Sequence, residues 1–195
     1  MRPPYPNGGW IEVITGCMFS GKTDELIRRL ERARIARQRV VVFKPEVDVR
    51  YADVEVVSHR DARIPCVPVS NASQILSKVG EAQVVGIDEA QFFDQELVHI
   101  CNALANMGKR VVVAGLDQDF RGEPFRPMPE LLAVAEYITK TLAVCTVCGA
   151  PANRSQRIVP RGDRVLLGAQ DAYEARCRRH WKPDAFDSEQ QALPM

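Results

Sequence analysis

Eight consecutive residues, Gly16-Cys17-Met18-Phe19-Ser20-Gly21-Lys22-Thr23, carry the most specific chemistry in this chain. Their types and spacing match G-x-x-x-x-G-K-[ST], a loop that wraps phosphate oxygens. The glycines let the backbone come close to an anion. The loop amides and the N-terminus of the following helix then present donors and partial positive charge to it. Lys22 would reach the β- and γ-phosphates of a nucleoside triphosphate, and Thr23 offers a hydroxyl to Mg²⁺. A second group is the acidic pair Asp88-Glu89. A phosphate-loop protein holds Mg²⁺ with an acid at a strand end, usually through water, and Asp88 fits that role. Glu89 is surplus to the metal. Adjacent residues at a strand end point to different sides, so Glu89 can face an acceptor and take the proton from an attacking hydroxyl or water. A third group is Cys145-x₂-Cys148 followed by Cys177-x₂-His180. Two short-spaced pairs of thiolate and imidazole ligands suit a closed, structural, tetrahedral Zn²⁺ site. Such a site would staple a small segment with little core of its own.

These groups need elements to position them. Trp10–Thr15 reads as a strand leading into the loop, and Lys22–Arg37 as the helix leaving it, with Leu26, Leu30 and Ala33 on one face. The remaining face is basic, with Arg28, Arg29, Arg32 and Arg34, and reads as solvated. Arg39–Lys44 is an apolar strand ended by Pro45. Val54–Ser58 reads as a short strand and Ala72–Val79 as a helix. Val84–Asp88 is a buried strand ending in acid, Gln95–Asn106 a helix, Arg110–Leu116 a buried strand, Pro129–Ala135 a short helix and Tyr137–Val144 a strand. Continuous apolar strands alternating with amphipathic helices predict an α/β fold: a mostly parallel sheet covered on both faces. After Cys145 the chain turns rich in Arg and turn residues, with strand-like pieces such as Arg164–Leu167. The expected organisation is a flexible arm at 1–9, a phosphate-loop α/β domain at 10–144, a small zinc-held domain at 145–181 and a tail at 182–195.

The 195 residues suffice for one domain with an appendage. Lys and Arg number 26 against 25 Asp and Glu, a net charge of +1. That balance argues against a dedicated nucleic-acid binder. The N-terminus carries no apolar run of the signal-peptide kind, and no stretch approaches the ~20 apolar residues that span a bilayer. The expected compartment is the cytoplasm, where cysteines stay reduced. Cys66 and Cys101 read as ordinary buried residues, and His59 and His99 carry no chemistry.

Taken together, the motifs resemble one family, the zinc-containing (type II) thymidine kinases. The resemblance rests on Gly16–Thr23, Asp48-Val49-Arg50-Tyr51, Asp88–Phe93, Gly115–Phe125, the Cys/His cluster and Gly168–Tyr173. It runs from about Trp10 to Trp181. It implies an ATP-binding α/β domain followed by a zinc-held lasso that closes over a nucleoside. It implies Glu89 as general base on the 5′-hydroxyl of thymidine. Gly16–Thr23, Asp48, Arg50, Asp88 and Gln91 would organise ATP and its Mg²⁺. Met18, Leu116, Phe92, Phe120, Phe125 and Tyr173 would line the base pocket. Backbone groups of Arg164, Val165, Leu166, Leu167 and Gly168 would hydrogen-bond the base edge. It also implies a homotetramer. The chain departs from the family pattern at Cys17 (usually Pro), at Ala169 (usually Gly) and at His180 (a Cys in many members). A competing reading is a phosphate-loop ATPase whose zinc ribbon binds nucleic acid, since Asp88-Glu89-Ala90-Gln91 resembles the acidic box of helicase-type motors.

Overall fold

The computed structural model describes residues 8–48, 55–57, 63–159 and 172–182, with backbone only for 48 and 55–57. The elements, in chain order, begin with β1 (Trp10–Thr15), α1 (Lys22–Ile35), β2 (Val40–Pro45), β3 (Glu55–Val57), β4 (Arg63–Pro65) and β5 (Val67–Val69). There follow α2 (Ser73–Lys78), β6 (Val84–Ile87), α3 (Glu96–Asn106), β7 (Arg110–Gly115), α4 (Met128–Val134), β8 (Tyr137–Lys140) and β9 (Ala143–Val144). The last three are β10 (Pro151–Ala152), β11 (Arg154–Arg157) and β12 (Tyr173–Arg176).

Six strands form one sheet in the order β5-β2-β6-β7-β1-β8, and every pairing in it is parallel. The expected α/β architecture is the observed one. Its physical cause lies in the strands: Val84–Ile87 is buried throughout, and only the first residue of Arg110–Gly115 is not. Strands apolar on both sides need cover on both faces. One face packs against α2, α3 and α4 through Ile75, Leu97, Ile100, Leu104 and Leu131. The other packs against α1 through Leu26, Ile27, Leu30 and Ala33. Gly86 marks that second contact, since a Cβ there would stand 2.6 Å from Leu30 Cδ1. Because all strands are parallel, their C-terminal ends gather along one edge, which is where open α/β sheets place ligands.

Several local readings are corrected. Tyr137–Val144 is not one strand. Thr141 leaves the sheet by donating its N–H to the Thr15 carbonyl (2.8 Å), so β8 pairs with β1 while β9 turns away to pair with β10. The first helix ends at Ile35, two residues early. Arg37 adopts a left-handed backbone (φ 58°), and the Gln38 N–H bonds back to the Ala33 carbonyl (3.0 Å), a satisfied C-terminus. Pro45 closes β2 from within it. The edge strand β5 was not foreseen, because three residues containing a proline give no period. The basic face of α1 is only partly solvated. Arg28 is exposed, but the Arg29 side chain is 13% exposed and bonds Glu12 (2.8 Å), Glu25 (2.8 Å) and Thr139 (2.8 Å). Glu12 also receives Arg110 (2.6 Å) and the Trp10 indole (2.8 Å). Burial penalises the Glu12 carboxylate, yet these donors hold it below the usual carboxylate range. Cys66 and Cys101 are buried as expected, and burial pushes the Cys101 thiol up to about 12. The strand read at Arg164–Leu167 lies outside the described residues.

Candidate active site

The loop 16–23 leaves the C-terminal end of β1 and enters α1, as its motif requires. Gly16 (φ 147°) lies so close to the chain after β8 that a Cβ would meet the Thr141 carbonyl oxygen at 2.3 Å. Phe19 (φ 64°) and Gly21 (φ 79°) supply the left-handed turns that curl the loop, and Gly21 is the residue before the first turn of α1. Two hydroxyls brace it. Ser20 donates to the Cys17 carbonyl (2.8 Å) and lies 2.9 Å from Thr141 Oγ1, which donates to the Thr15 carbonyl (3.0 Å). Inside the curl, Lys22 Nζ donates to the Cys17 carbonyl at 2.8 Å. Burial pushes this ammonium below lysine's ordinary value, while Glu89, Cys17, Asp88 and Asp117 pull it back up. A cation desolvated in this way among carboxylates is poised for a polyanion.

The acids come from the neighbouring strand ends. Asp88 follows β6 and is 6% exposed, with Oδ2 3.5 Å from the Thr23 hydroxyl. A pair of hard oxygens at that spacing fits Mg²⁺, which takes oxygen ligands and keeps several waters. Glu89 turns the chain with a left-handed backbone (φ 51°, ψ 42°). Its Oε2 accepts from Gln91 Nε2 at 2.5 Å, while Gln91 Oε1 accepts the Leu116 N–H at 2.9 Å. Gln91 therefore joins the ends of β6 and β7. Asp117, one residue beyond Leu116, pairs with Lys140 at 2.7 Å, and its Oδ1 is a buried oxygen with no hydrogen bond among the described residues. Asp117 belongs to the Gly115–Phe125 run but has no role legible in the sequence, since an acid in a loop carries no signal until the fold sets it near Lys22.

The aromatic residues fall into two groups. Phe92 and Phe125 meet edge to face, with ring centroids 6.4 Å apart. Phe120 has the guanidinium of Arg157 at 5.2 Å and that of Arg121 at 5.3 Å. Arg157 in turn pairs with Tyr173 across the β11–β12 ladder, and Tyr173 is buried. The loop carrying Phe120 is a tight hairpin. Asp119 Oδ1 accepts the N–H groups of Arg121 (2.9 Å) and Glu123 (3.0 Å). It is tied to the C-terminal segment by Arg154 Nη1 to Gln118 Oε1 (2.6 Å) and by the Trp181 indole to the Phe120 carbonyl (3.1 Å). All four residues of β11 are buried although their sequence is Arg-Ser-Gln-Arg. No hydrophobic period could have announced that. Arg50 and Arg164–Gly168 lie outside the described residues, as does the Asp48 side chain.

Cys145, Cys148, Cys177 and His180 converge, their ligand atoms all within 4.8 Å of one another. Zinc bonds of ~2.3 Å to sulfur and ~2.0–2.1 Å to nitrogen place tetrahedral ligands about 3.6–3.8 Å apart. Cys148 Sγ to Cys177 Sγ is 3.8 Å, Cys145 Sγ to His180 Nδ1 is 3.8 Å and Cys177 Sγ to His180 Nδ1 is 3.4 Å. The donor set and the spacing both fit zinc. The cluster also supports the phosphate loop. Cys17 packs in one small core with Ala143, Cys145, Ala152, Ala175 and Cys177, and the Ser155 hydroxyl accepts the Met18 N–H at 3.1 Å. Burial pushes the Cys17 thiol up, which makes it a packing group and a poor nucleophile.

Fold and site together define a class: a parallel α/β protein whose glycine-rich loop, lysine and paired acids meet at the strand ends beside a Cys₃His module. The thymidine kinase family model matches residues 9–181. A thymidine kinase of Rhodothermus sp. (strain ITI 518) is 62% identical over 175 residues, covering 90% of this chain and 82% of that protein. A thymidine kinase of Bdellovibrio bacteriovorus is 55% identical over 177 residues, covering 90% of this chain and 87% of that protein. The chain belongs to the thymidine kinase family and is a nucleoside kinase enzyme. Among the described residues no helix is long and apolar enough to cross a membrane.

Proposed function

We propose that the enzyme transfers the γ-phosphoryl group of ATP to the 5′-hydroxyl of thymidine, giving ADP and thymidine 5′-monophosphate. The observation that carries this reading is the meeting of Lys22, the Thr23–Asp88 pair and the Glu89–Gln91 pair at the ends of β1, β6 and β7. The loop amides and Lys22 hold the β- and γ-phosphates. Thr23 and Asp88 hold Mg²⁺, which when bound neutralises charge on the transferred group. Glu89 accepts the proton of the 5′-hydroxyl as its oxygen bonds the γ-phosphorus and the bond to the bridging oxygen breaks. Phe92, Phe120, Phe125, Leu116, Met18 and Tyr173 enclose the base, and Arg164–Gly168 close over its edge as a lasso. Asp48 and Arg50 assist with the triphosphate. Zn²⁺ on Cys145, Cys148, Cys177 and His180 is structural. It fixes the 145–181 segment as a unit beside the 10–144 domain. The active assembly is a cytoplasmic homotetramer with no nucleic-acid partner.

ATP consumption measured across a panel of nucleosides tests this, with Glu89→Gln beside the wild type. Thymidine should be the preferred acceptor. Glu89→Gln should bind nucleotide nearly normally and lose roughly 10²–10⁴-fold in turnover, the range of general base catalysis. ATP hydrolysis indifferent to thymidine and stimulated by DNA or RNA would overturn the kinase reading. Wild-type turnover by Glu89→Gln would overturn the base assignment.

A further inference from the structure

We propose that Gln91 is a positioning residue that clamps the Glu89 carboxylate, and does not act as a contact of the nucleotide. This rests on the reading of Glu89 as the base. Gln91 is 3% exposed, and its side chain sits between two partners. The Leu116 N–H can only donate, so the amide end that faces it must be the oxygen. That leaves Nε2 as the end aimed at Glu89, and it donates to Oε2 there. The orientation of the amide is thus dictated by the backbone at the end of the next strand, independently of Glu89.

Two further features show that the surroundings are built around this contact. Gly115 ends β7 directly under the amide. A Cβ there would stand 3.1 Å from Gln91 Oε1, 2.6 Å from Met128 Sδ and 3.2 Å from Ala90 Cβ, so a side chain at 115 would press on the amide and displace Met128. Glu89 has a left-handed backbone, a conformation that L-residues other than Gly, Asn and Asp visit only when surrounding structure holds them there. The Phe92 N–H fixes its carbonyl (3.0 Å) and Gln91 fixes its carboxylate, so both ends of the residue are secured within one short turn, Ala90–Phe92. The clamp engages Oε2, and Oε1 takes the proton. It also ties the end of β6, which carries the metal-side acid, to the end of β7, which begins the loop with Phe120 and Phe125.

The test is kinetic. Gln91→Ala removes both contacts. Gln91→Glu keeps an acceptor for the Leu116 N–H but has no N–H for Glu89. Both should lower kcat about 10–100-fold, the cost of a displacement on the order of 1 Å at a reacting group, while KM for ATP and for the nucleoside stays within about 3-fold. In the Glu89→Gln background each substitution should cost less than about 2-fold, because a residue that acts through Glu89 has nothing left to position. Running the cycle with both substitutions means that a folding failure of Gln91→Ala leaves Gln91→Glu to decide. A tenfold rise in KM for ATP with kcat intact would make Gln91 a nucleotide contact and overturn the proposal. Losses that multiply in the Glu89→Gln background would overturn it as well. A steep loss in Glu89→Gln beside wild-type turnover in Gln91→Glu overturns the clamp alone. Wild-type turnover in Glu89→Gln removes the base reading and the clamp with it.

Discussion

Gly122→Ala strains the link between the Phe120 loop and the C-terminal segment. Gly122 has φ 80°, a left-handed conformation that costs an alanine about 1–2 kcal/mol. The added Cβ would also stand 2.7 Å from Trp181 Cη2, 3.0 Å from Cζ2 and 2.8 Å from Arg154 Nη1. Carbon contacts settle near ~3.5–4.0 Å, so the indole must retreat by roughly an ångström. Its N–H bond to the Phe120 carbonyl, 3.1 Å long, cannot survive that shift, a loss of about 0.5–1.5 kcal/mol. The Arg154 guanidinium stacked 4.7 Å from the Trp181 ring is disturbed too, for about 0.5–1 kcal/mol more. The total is on the order of 2–4 kcal/mol. At about 2–4 °C per kcal/mol for a chain of this size, the thermal midpoint should fall by on the order of 10 °C at fixed zinc and ligand. KM for the nucleoside should rise, because Phe120 rides on the displaced loop. In a Trp181→Ala background the same change should cost less, leaving the backbone penalty of about 1–2 kcal/mol and the displacement of Arg154 Nη1. A midpoint within about 1 °C of wild type, or an undiminished cost without the indole, would refute the overlap argument.

Stripping zinc with a strong chelator, or substituting Cys177→Ser, should lower the thermal midpoint by more than about 10 °C, given the ~10–16 kcal/mol apparent affinity of structural zinc sites. It should also weaken ATP binding, since Cys17 shares its core with Cys145 and Cys177; metal analysis and nucleotide titration check both. The hydrogen bond from Arg28, with Arg29 beside it, holds the Glu25 carboxyl down to about 2 from 4.5. A depressed folded value means the stabilisation is full above about 4.5 and is lost as pH falls toward 2, so denaturant midpoints of Glu25→Gln should fall less steeply than wild type across that window.

The strands β1, β2, β6 and β7 and the helices α1 and α3 were legible in the sequence because their apolar spacing is continuous. The loop 16–23 was legible because its glycines and lysine have one spacing. Cys145, Cys148, Cys177 and His180 were legible because two ligand pairs, each with two residues between its members, are rare by chance. These are local signals, complete within a few residues.

What the tertiary structure decided is everything that joins distant segments. Arg29 reads as a surface charge until β1 brings Glu12 beneath it and β8 brings Thr139. The sequence Arg154–Arg157 carries no apolar period, and it is buried because Trp181, Phe120 and Gln118 close around it. Thr141 breaks a strand that its neighbours would continue, because the Thr15 carbonyl and Ser20 hydroxyl wait at the end of β1. Gln91, read as one more member of an acidic motif, proves to bridge Glu89 to the amide of Leu116. Periodicity reports which way a side chain faces, but a hydrogen bond between residues far apart in the chain depends on where two strand ends stop, and only the packed sheet determines that.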